Sequence, residues 1–282
     1  MFKLTVENPA GQKLELTGQR NIHVIGIDGL NPTDANIITS TVAGSDGSRF
    51  NSAVANQKNI VIHLRLTGDV ETTRLTLYKY FRIKQYCKVY YQNDHRDVYC
   101  EGYVESFEND RFVVNNQADI SIICPSSWFQ QLNTEKFQMS QVLPMFEFPF
   151  SISEEGIEFS VLDRTQRTTV VNSGEVDTGI LIELAASSDI LNPRLYNADT
   201  NDVMKINIDM QAGDLIQIST VKGNKYVRLV RAGVMTNIIN RLDKYPVWFQ
   251  LPPGETDFTY ECDSGTEFLT VTFTVQNLFE GV

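Results

Sequence analysis

Residues 86–104 read YCKVYYQNDHRDVYCEGYV, and this stretch decides the fold class. Cys87, Val89 and Tyr91 alternate with Tyr86, Lys88 and Tyr90. Val98, Cys100, Gly102 and Val104 alternate with Tyr99, Glu101 and Tyr103. A period of two sets one apolar face on a core and one polar face in water, as a half-buried strand requires. Between the two runs, Asn93-Asp94-His95-Arg96 reads as a hairpin turn. Cys87 and Cys100 are equidistant from a turn centred between Asn93 and Asp94, so they are expected to face each other. Distance alone permits a disulfide there. A chain without an export signal favours a reduced, buried pair acting as small hydrophobes.

The same period extends upstream. Ile60, Ile62, Leu64 and Leu66 alternate with Val61, His63, Arg65 and Thr67. Between these strands, Asp69–Lys84 (DVETTRLTLYKYFRIK) is the one segment with helical spacing. Val70, Leu77 and Phe81 fall on one stripe, with acids at the start and bases at the end, as the helix dipole prefers. The first half therefore reads as a β-sandwich with one packed helix. Ser45-Asp46-Gly47-Ser48 is a further hairpin turn. Its arms, Ala35–Ala43 and Arg49–Asn56, are rich in Thr, Ser, Ala and Asn. They form either a frayed surface loop or an arm that gains burial from another chain.

The second half is all β in pattern. Ile157–Val161 alternates, Gly179–Leu184 is a buried run, and Leu215–Thr220 and Lys225–Arg231 flank a Lys222-Gly223-Asn224 turn. Glu267–Val275 alternates again. Short strands with regular turn signals suggest a sandwich or jelly roll. Gln131–Pro149 is the best linker, which divides the chain into domains 1–131 and 132–282. A length of 282 residues suits two domains, and 42% hydrophobic residues suffice for sizeable cores. The charge habit also divides. Residues 1–131 hold 13 basic and 14 acidic side chains, and residues 132–282 hold 11 and 21. A net charge of −11 argues against binding nucleic acid through its phosphates. The alternating N-terminus is no cleavable signal, and apolar runs are too short to span a membrane, so a chain that folds where it is made is expected.

Residues that could carry chemistry are sparse. His23, His63 and His95 lie in the first half with neither metal-ligand spacing nor a nucleophile elbow, and are expected to be exposed structural residues. Gly26-Ile27-Asp28-Gly29 lacks the spacing of a phosphate loop. Four cysteines contain no CxxC pair. The acids at Asp199–Asp202 and at Asp257, Glu261 and Asp263 match no calcium loop. Asn192-Pro193-Arg194 resembles part of the galectin sugar-binding strand, but Ile190 stands where galectins have His, and Trp248 has the wrong context for a sugar platform. No catalytic, metal or cofactor site is expected, and the chain is not expected to be an enzyme.

An ordered set of short motifs is more specific. Ile27-Asp28-Gly29-Leu30-Asn31-Pro32, Asp46-Gly47-Ser48, Leu77-Tyr78-Lys79-Tyr80-Phe81, Arg96 with Gly102-Tyr103-Val104-Glu105, and Ile120-Ser121-Ile122-Ile123-Cys124-Pro125 occur in the order seen in siphophage distal tail (Dit) proteins. Asn172-Ser173-Gly174-Glu175, Asn192-Pro193 and Leu251-Pro252-Pro253-Gly254 continue the similarity, with Thr256 and Asp257 where the family commonly has Asn. The chain thus resembles phage tail components over nearly its whole length. The resemblance implies a mainly β, two-domain protein: a tail-tube-like β-sandwich with one flanking α-helix, then a galectin-like β-sandwich. It implies a structural hub at the virion tail tip, assembled in the host bacterial cytoplasm. Its expected partners are itself, as a homohexameric ring, the tail tube protein, the tail-associated tip protein and receptor-binding proteins. No nucleic acid, membrane or cofactor is implied. Ile37, Ile38, Asp46, Gly47 and Phe50 are then the candidate subunit-interface residues. The alternative is a carbohydrate-binding virion module that touches the host cell wall.

Overall fold

The computed structural model describes residues 2–41, 43–44, 46–110, 116–140, 142–144, 160–162 and 167–282. The protein is mainly β, with one α-helix among the described residues. It divides into two compact units. The first is Met1–Leu132 together with Leu278–Val282, and the second is Asn133–Asn277.

Unit 1 contains β1 (Lys3–Glu7), β2 (Lys13–Glu15), β3 (Ile22–Asp28), β4 (Ala35–Ser40), β5 (Arg49–Ala55) and β6 (Lys58–Leu66). Helix α1 (Val70–Tyr80), β7 (Tyr86–Gln92), β8 (Asp97–Asn109), β9 (Gln117–Cys124) and β10 (Phe129–Gln131) follow. One antiparallel sheet runs in the order β2-β1-β7-β8-β9-β6-β3. Its alternation is the one read from the sequence: Ile60, Ile62, Leu64 and Leu66 are buried with Cys87, Val89, Val98 and Cys100. Leu77 and Phe81 join that core. Asp69 caps α1, its Oδ1 accepting from the Thr72 N–H at 3.2 Å. The helix ends at Tyr80, short of the expected Lys84. Phe81 leaves helical geometry to enter the core, and Lys84 takes a positive φ of 65° and donates its N–H to the Val104 carbonyl.

The cysteine register differs from expectation. Gln92 pairs with Asp97, so Cys87 faces Gly102 and Cys100 faces Val89. The cause is the turn. Asn93 Oδ1 accepts the N–H groups of both His95 and Arg96, and Asn93 N–H donates to the Arg96 carbonyl. All four residues therefore belong to the loop, and its centre lies one residue further on. The four cysteines are buried free thiols. Burial pushes the Cys87 thiol up to about 12.

Unit 2 contains β11 (Glu135–Ser140), β12 (Val142–Pro144), β13 (Ser160–Leu162), β14 (Thr168–Asn172), β15 (Thr178–Ala186), β16 (Ile190–Leu191), β17 (Arg194–Asn197) and β18 (Val203–Lys205). It continues with β19 (Asp209–Met210), β20 (Leu215–Ser219), β21 (Tyr226–Arg231), β22 (Val234–Asn237), β23 (Gln250–Leu251), β24 (Gly254–Glu261) and β25 (Leu269–Val275). One sheet runs β11-β25-β15-β20-β21-β22, and a second runs β14-β24-β17-β18. Side chains from both share one core, with Ile182, Ile218 and Val271 from the first and Val170, Leu195 and Phe258 from the second. The Phe258 and Phe273 rings lie 4.9 Å apart. This is a β-sandwich. The strand expected from Glu267 begins only at Leu269, because Thr266–Phe268 is a 3₁₀ turn. Gly265 initiates it at φ 76°, where a Cβ would sit 2.3 Å from the Asp189 carbonyl oxygen. In the expected strand Ile157–Val161, residues 157–159 lie outside the described residues, as do 141 and 145–149 of the linker region.

The last strand, β26 (Leu278–Phe279), returns to unit 1 and pairs with β10. Lys58, fully buried, donates from Nζ to the carbonyls of Asn31 at 2.8 Å, Glu280 at 3.2 Å and Gly29 at 3.4 Å. Its ammonium also lies 4.6 Å from the centre of the Phe129 ring. Arg96 donates to the Gly281 carbonyl and covers the Phe279 ring. Val282 N–H donates to the Leu30 carbonyl. Desolvation by burial lowers the pKa of this ammonium.

Candidate functional site

Strands β4 and β5 pair with each other as an antiparallel hairpin, and neither pairs with another strand among the described residues. Ile37 faces Ala53, Ile38 faces Ser52 and Phe50 faces Thr39, with a bulge between Ile38 and Thr39. Successive side chains of a strand point to opposite faces. Ile37 and Ile38 therefore give both faces apolar character. Phe50 is 61% exposed and Ile37 56%. Asp46 and Gly47 are exposed at the tip, Gly47 with φ 88°, while Val42 and Ser45 lie outside the described residues. The structure thus sets Ile37, Ile38 and Phe50 exposed on one hairpin, with Asp46 and Gly47 beyond them. Sequence reading missed Val54, which is as exposed as Phe50. Its place two residues beyond Ser52, itself opposite Ile38, was the available signal.

A two-stranded hairpin is marginal in water by itself. Here both faces are exposed.

A concavity lies elsewhere on unit 1. An open groove of about 640 Å³ is lined by Phe2, Leu16, Ile22, His23 and Val24, among others. A smaller one of about 220 Å³ adds Ile25, Ile27 and Tyr91. Phe2 stacks on Tyr91 at 5.9 Å. Both grooves lie at β3, the end strand of the sheet. A bulge between Val24 and Gly26 disturbs the alternation there, and Ile25 is left exposed. No sequence signal assigned Phe2 or Ile25 to a surface, since the bulge depends on pairing with β6.

Two charged clusters lie among the described residues of the two units. On the polar face of unit 1, His63 Nδ1 lies 2.7 Å from Asp119 Oδ1 and Nε2 lies 3.1 Å from Asp28 Oδ2. Hydrogen bonding to Asp119 and then Asp28 raises its pKa against a smaller desolvation effect. In unit 2, Arg194 pairs with Asp263, and its Nη1 lies 3.9 Å from Glu261. Asn192 Nδ2 donates to Asp263 at 2.8 Å, and Lys205 Nζ lies 3.8 Å from the same carboxylate. Arg194 and Asn192, the galectin-like residues of the sequence, are thus committed to carboxylates that a sugar hydroxyl would have to displace.

Comparison with known proteins adds the relationship. Residues 173–276 match the family model described as the siphovirus-type tail component, C-terminal domain. No curated protein matches the chain in sequence. Among solved structures, the Dit protein of phage SPP1, described as a paradigm of the hub adsorption apparatus in phages infecting Gram-positive bacteria, is similar. Its TM-score is 0.68 at 14% identity, over 98% of this chain and 99% of that one. A chain of the phage p2 baseplate in its activated conformation with calcium gives a TM-score of 0.55 at 11% identity, over 100% of both chains. A baseplate structure with strontium gives 0.53 at 12% identity, again over 100% of both. Residues 173–276 are thus similar to the C-terminal domain of the siphovirus-type tail component, and over nearly its whole length the chain has the fold of the phage SPP1 Dit protein.

Proposed function

We propose that this tail component is a structural hub of the tail tip, assembled in the cytoplasm of the host bacterium. Unit 1 of six copies closes into a ring that joins the tail tube to the tail-associated tip protein. Unit 2 is a galectin-like sandwich that serves as a scaffold for neighbouring tip components, receptor-binding proteins among them, and not as a sugar site. The observation that carries the ring is the β4–β5 hairpin, apolar on both faces and bare. The hairpin of one copy lies in the groove at Phe2, Ile22, Val24 and Ile25 of the next. Knob and groove occupy different places on one chain, so the contact is heterologous, and such contacts build rings when the rotation closes. Covering Ile37, Ile38, Phe50 and Val54 contributes about 1–2 kcal/mol each at their observed exposure.

Light scattering of the full chain, alone and co-expressed with its tail tube protein, tests this. The expected particle has six times the 32.0 kDa chain mass. Ile38→Asp with Phe50→Asp should abolish it while leaving thermal unfolding of the monomer almost unchanged. A Phe50→Cys, Ile25→Cys pair should cross-link into a ladder ending at six. A double-Asp variant that assembles like the parent, or cysteine pairs that never cross-link, would refute the reading.

A further inference from the structure

We propose that the open edge of β22 is a docking site for an extended, acidic segment of a partner protein, which joins the sheet of unit 2 as an added antiparallel strand. β22 ends its sheet, and no described strand pairs with its far side. The Ile238 N–H donates to the Val227 carbonyl at 2.9 Å, Leu229 lies opposite Thr236, and Arg231 lies opposite Val234. Alternation along an antiparallel ladder then turns the peptide groups of Val234 and Thr236 toward β21. Those of Met235 and Asn237 point to the open side.

The strand is bare on both faces. All four residues are exposed, Val234 at 64%. Ile239 and Tyr245 extend the apolar surface beyond it. Natural edge strands are commonly guarded by charge, proline or a bulge. The stretch Val234-Met235-Thr236-Asn237 has no charge and no proline, and its register with β21 is unbroken.

Charge selects the occupant. Between Asp214 and Glu255 the chain carries six basic residues and one acid, Asp243. Arg231 is held by Asp214. Lys222, Lys225, Arg241 and Lys244 are exposed. The Arg228 guanidinium lies 4.0 Å from the Tyr226 ring centre, and its Nη1 is 3.8 Å from Met235 Sδ. A basic island therefore flanks this edge in an otherwise acidic unit. Two copies meeting edge to edge would oppose like charges. An acidic strand instead bonds its backbone to Met235 and Asn237 and sets its carboxylates on Arg228 and the neighbouring lysines. The site lies in unit 2 and is independent of the ring.

Fluorescence anisotropy with a labelled short peptide alternating valine or threonine with glutamate, added to the full chain, tests the proposal. Saturable binding that weakens as salt is raised is expected. Met235→Pro removes one edge N–H and should weaken binding about tenfold or more, as should Arg228→Glu. Should Met235→Pro misfold, the same peptide N-methylated at alternate residues replaces it, with the same expected loss. A peptide with lysine for glutamate should not bind. Absent binding, equal binding of the lysine peptide, or unchanged affinity in the variants would overturn the proposal. So would a drop in particle mass caused by Met235→Pro, which would give the edge to a second copy.

Discussion

His63 bridges two carboxylates on the polar face of unit 1, and this makes one part of the stability pH-dependent in a defined sense. Asp119 and Asp28 hydrogen-bond the imidazole and raise its pKa above the ordinary value of 6.5. The folded protein therefore holds the proton more tightly than the unfolded chain does. The contribution is fully present below pH 6.5 and is lost as pH rises through the raised folded value. His63→Gln should lower the urea midpoint at pH 5.5, and the gap to the parent should narrow as pH rises to 9. A gap that widens with pH would contradict the bridge. None of this could be read from the sequence, which places His63 on a polar face and no more. Its partners lie 35 and 56 residues away. Lys58 was hidden for the same reason: it looks like any polar residue opening a strand, and its three acceptors are backbone atoms that carry no residue identity.

Elements with a clear period were legible, and those set by a single backbone contact were not. The alternations at 60–66, 86–104 and 215–231 became β6, β7, β8, β20 and β21, because a buried face needs only apolar side chains at every second position. The stripe of α1 was equally plain. Phe81→Ala should cost about 3–5 kcal/mol in urea unfolding, since the ring is 2% exposed among core side chains. A cost below about 1 kcal/mol would mean that the ring does not anchor the helix. Strand β22 carries no alternation and went unread. It exists because Ala232 and Gly233, at φ 49° and 78°, make the tight turn that folds it onto β21. Alanine is strained at positive φ. Ala232→Gly should therefore raise the stability of unit 2 by about 0.5–1 kcal/mol, seen as a higher midpoint in its unfolding transition. A lower midpoint would show that the alanine side chain contributes more than its backbone strain costs.

Two sandwiches were visible in the sequence as two runs of alternating strands, but the return of residues 278–282 to unit 1 was not. A two-residue strand has no detectable period. Deleting residues 278–282 should destabilise unit 1 by about 2–5 kcal/mol, because Lys58 and Arg96 lose buried acceptors. Calorimetry should show the unit 1 transition falling while that of unit 2 stays in place, and coincident shifts of both would argue against separate cores. The latch also sets an order of events in time. Lys58 and Glu280 are 222 positions apart. Closing so long a flexible loop costs about 5 kcal/mol in chain entropy. Unit 2 removes most of that cost if it folds first, because β11 pairs with β25, Glu135 lies opposite Val275, and Asn277 Nδ2 donates to Glu135. Its two ends then leave the sheet side by side, and the nucleation of one sandwich becomes the loop closure of the other. Unit 1 of a nascent chain stays unlatched until residue 280 has left the ribosome, so completion of its fold waits until the whole of unit 2 has been made.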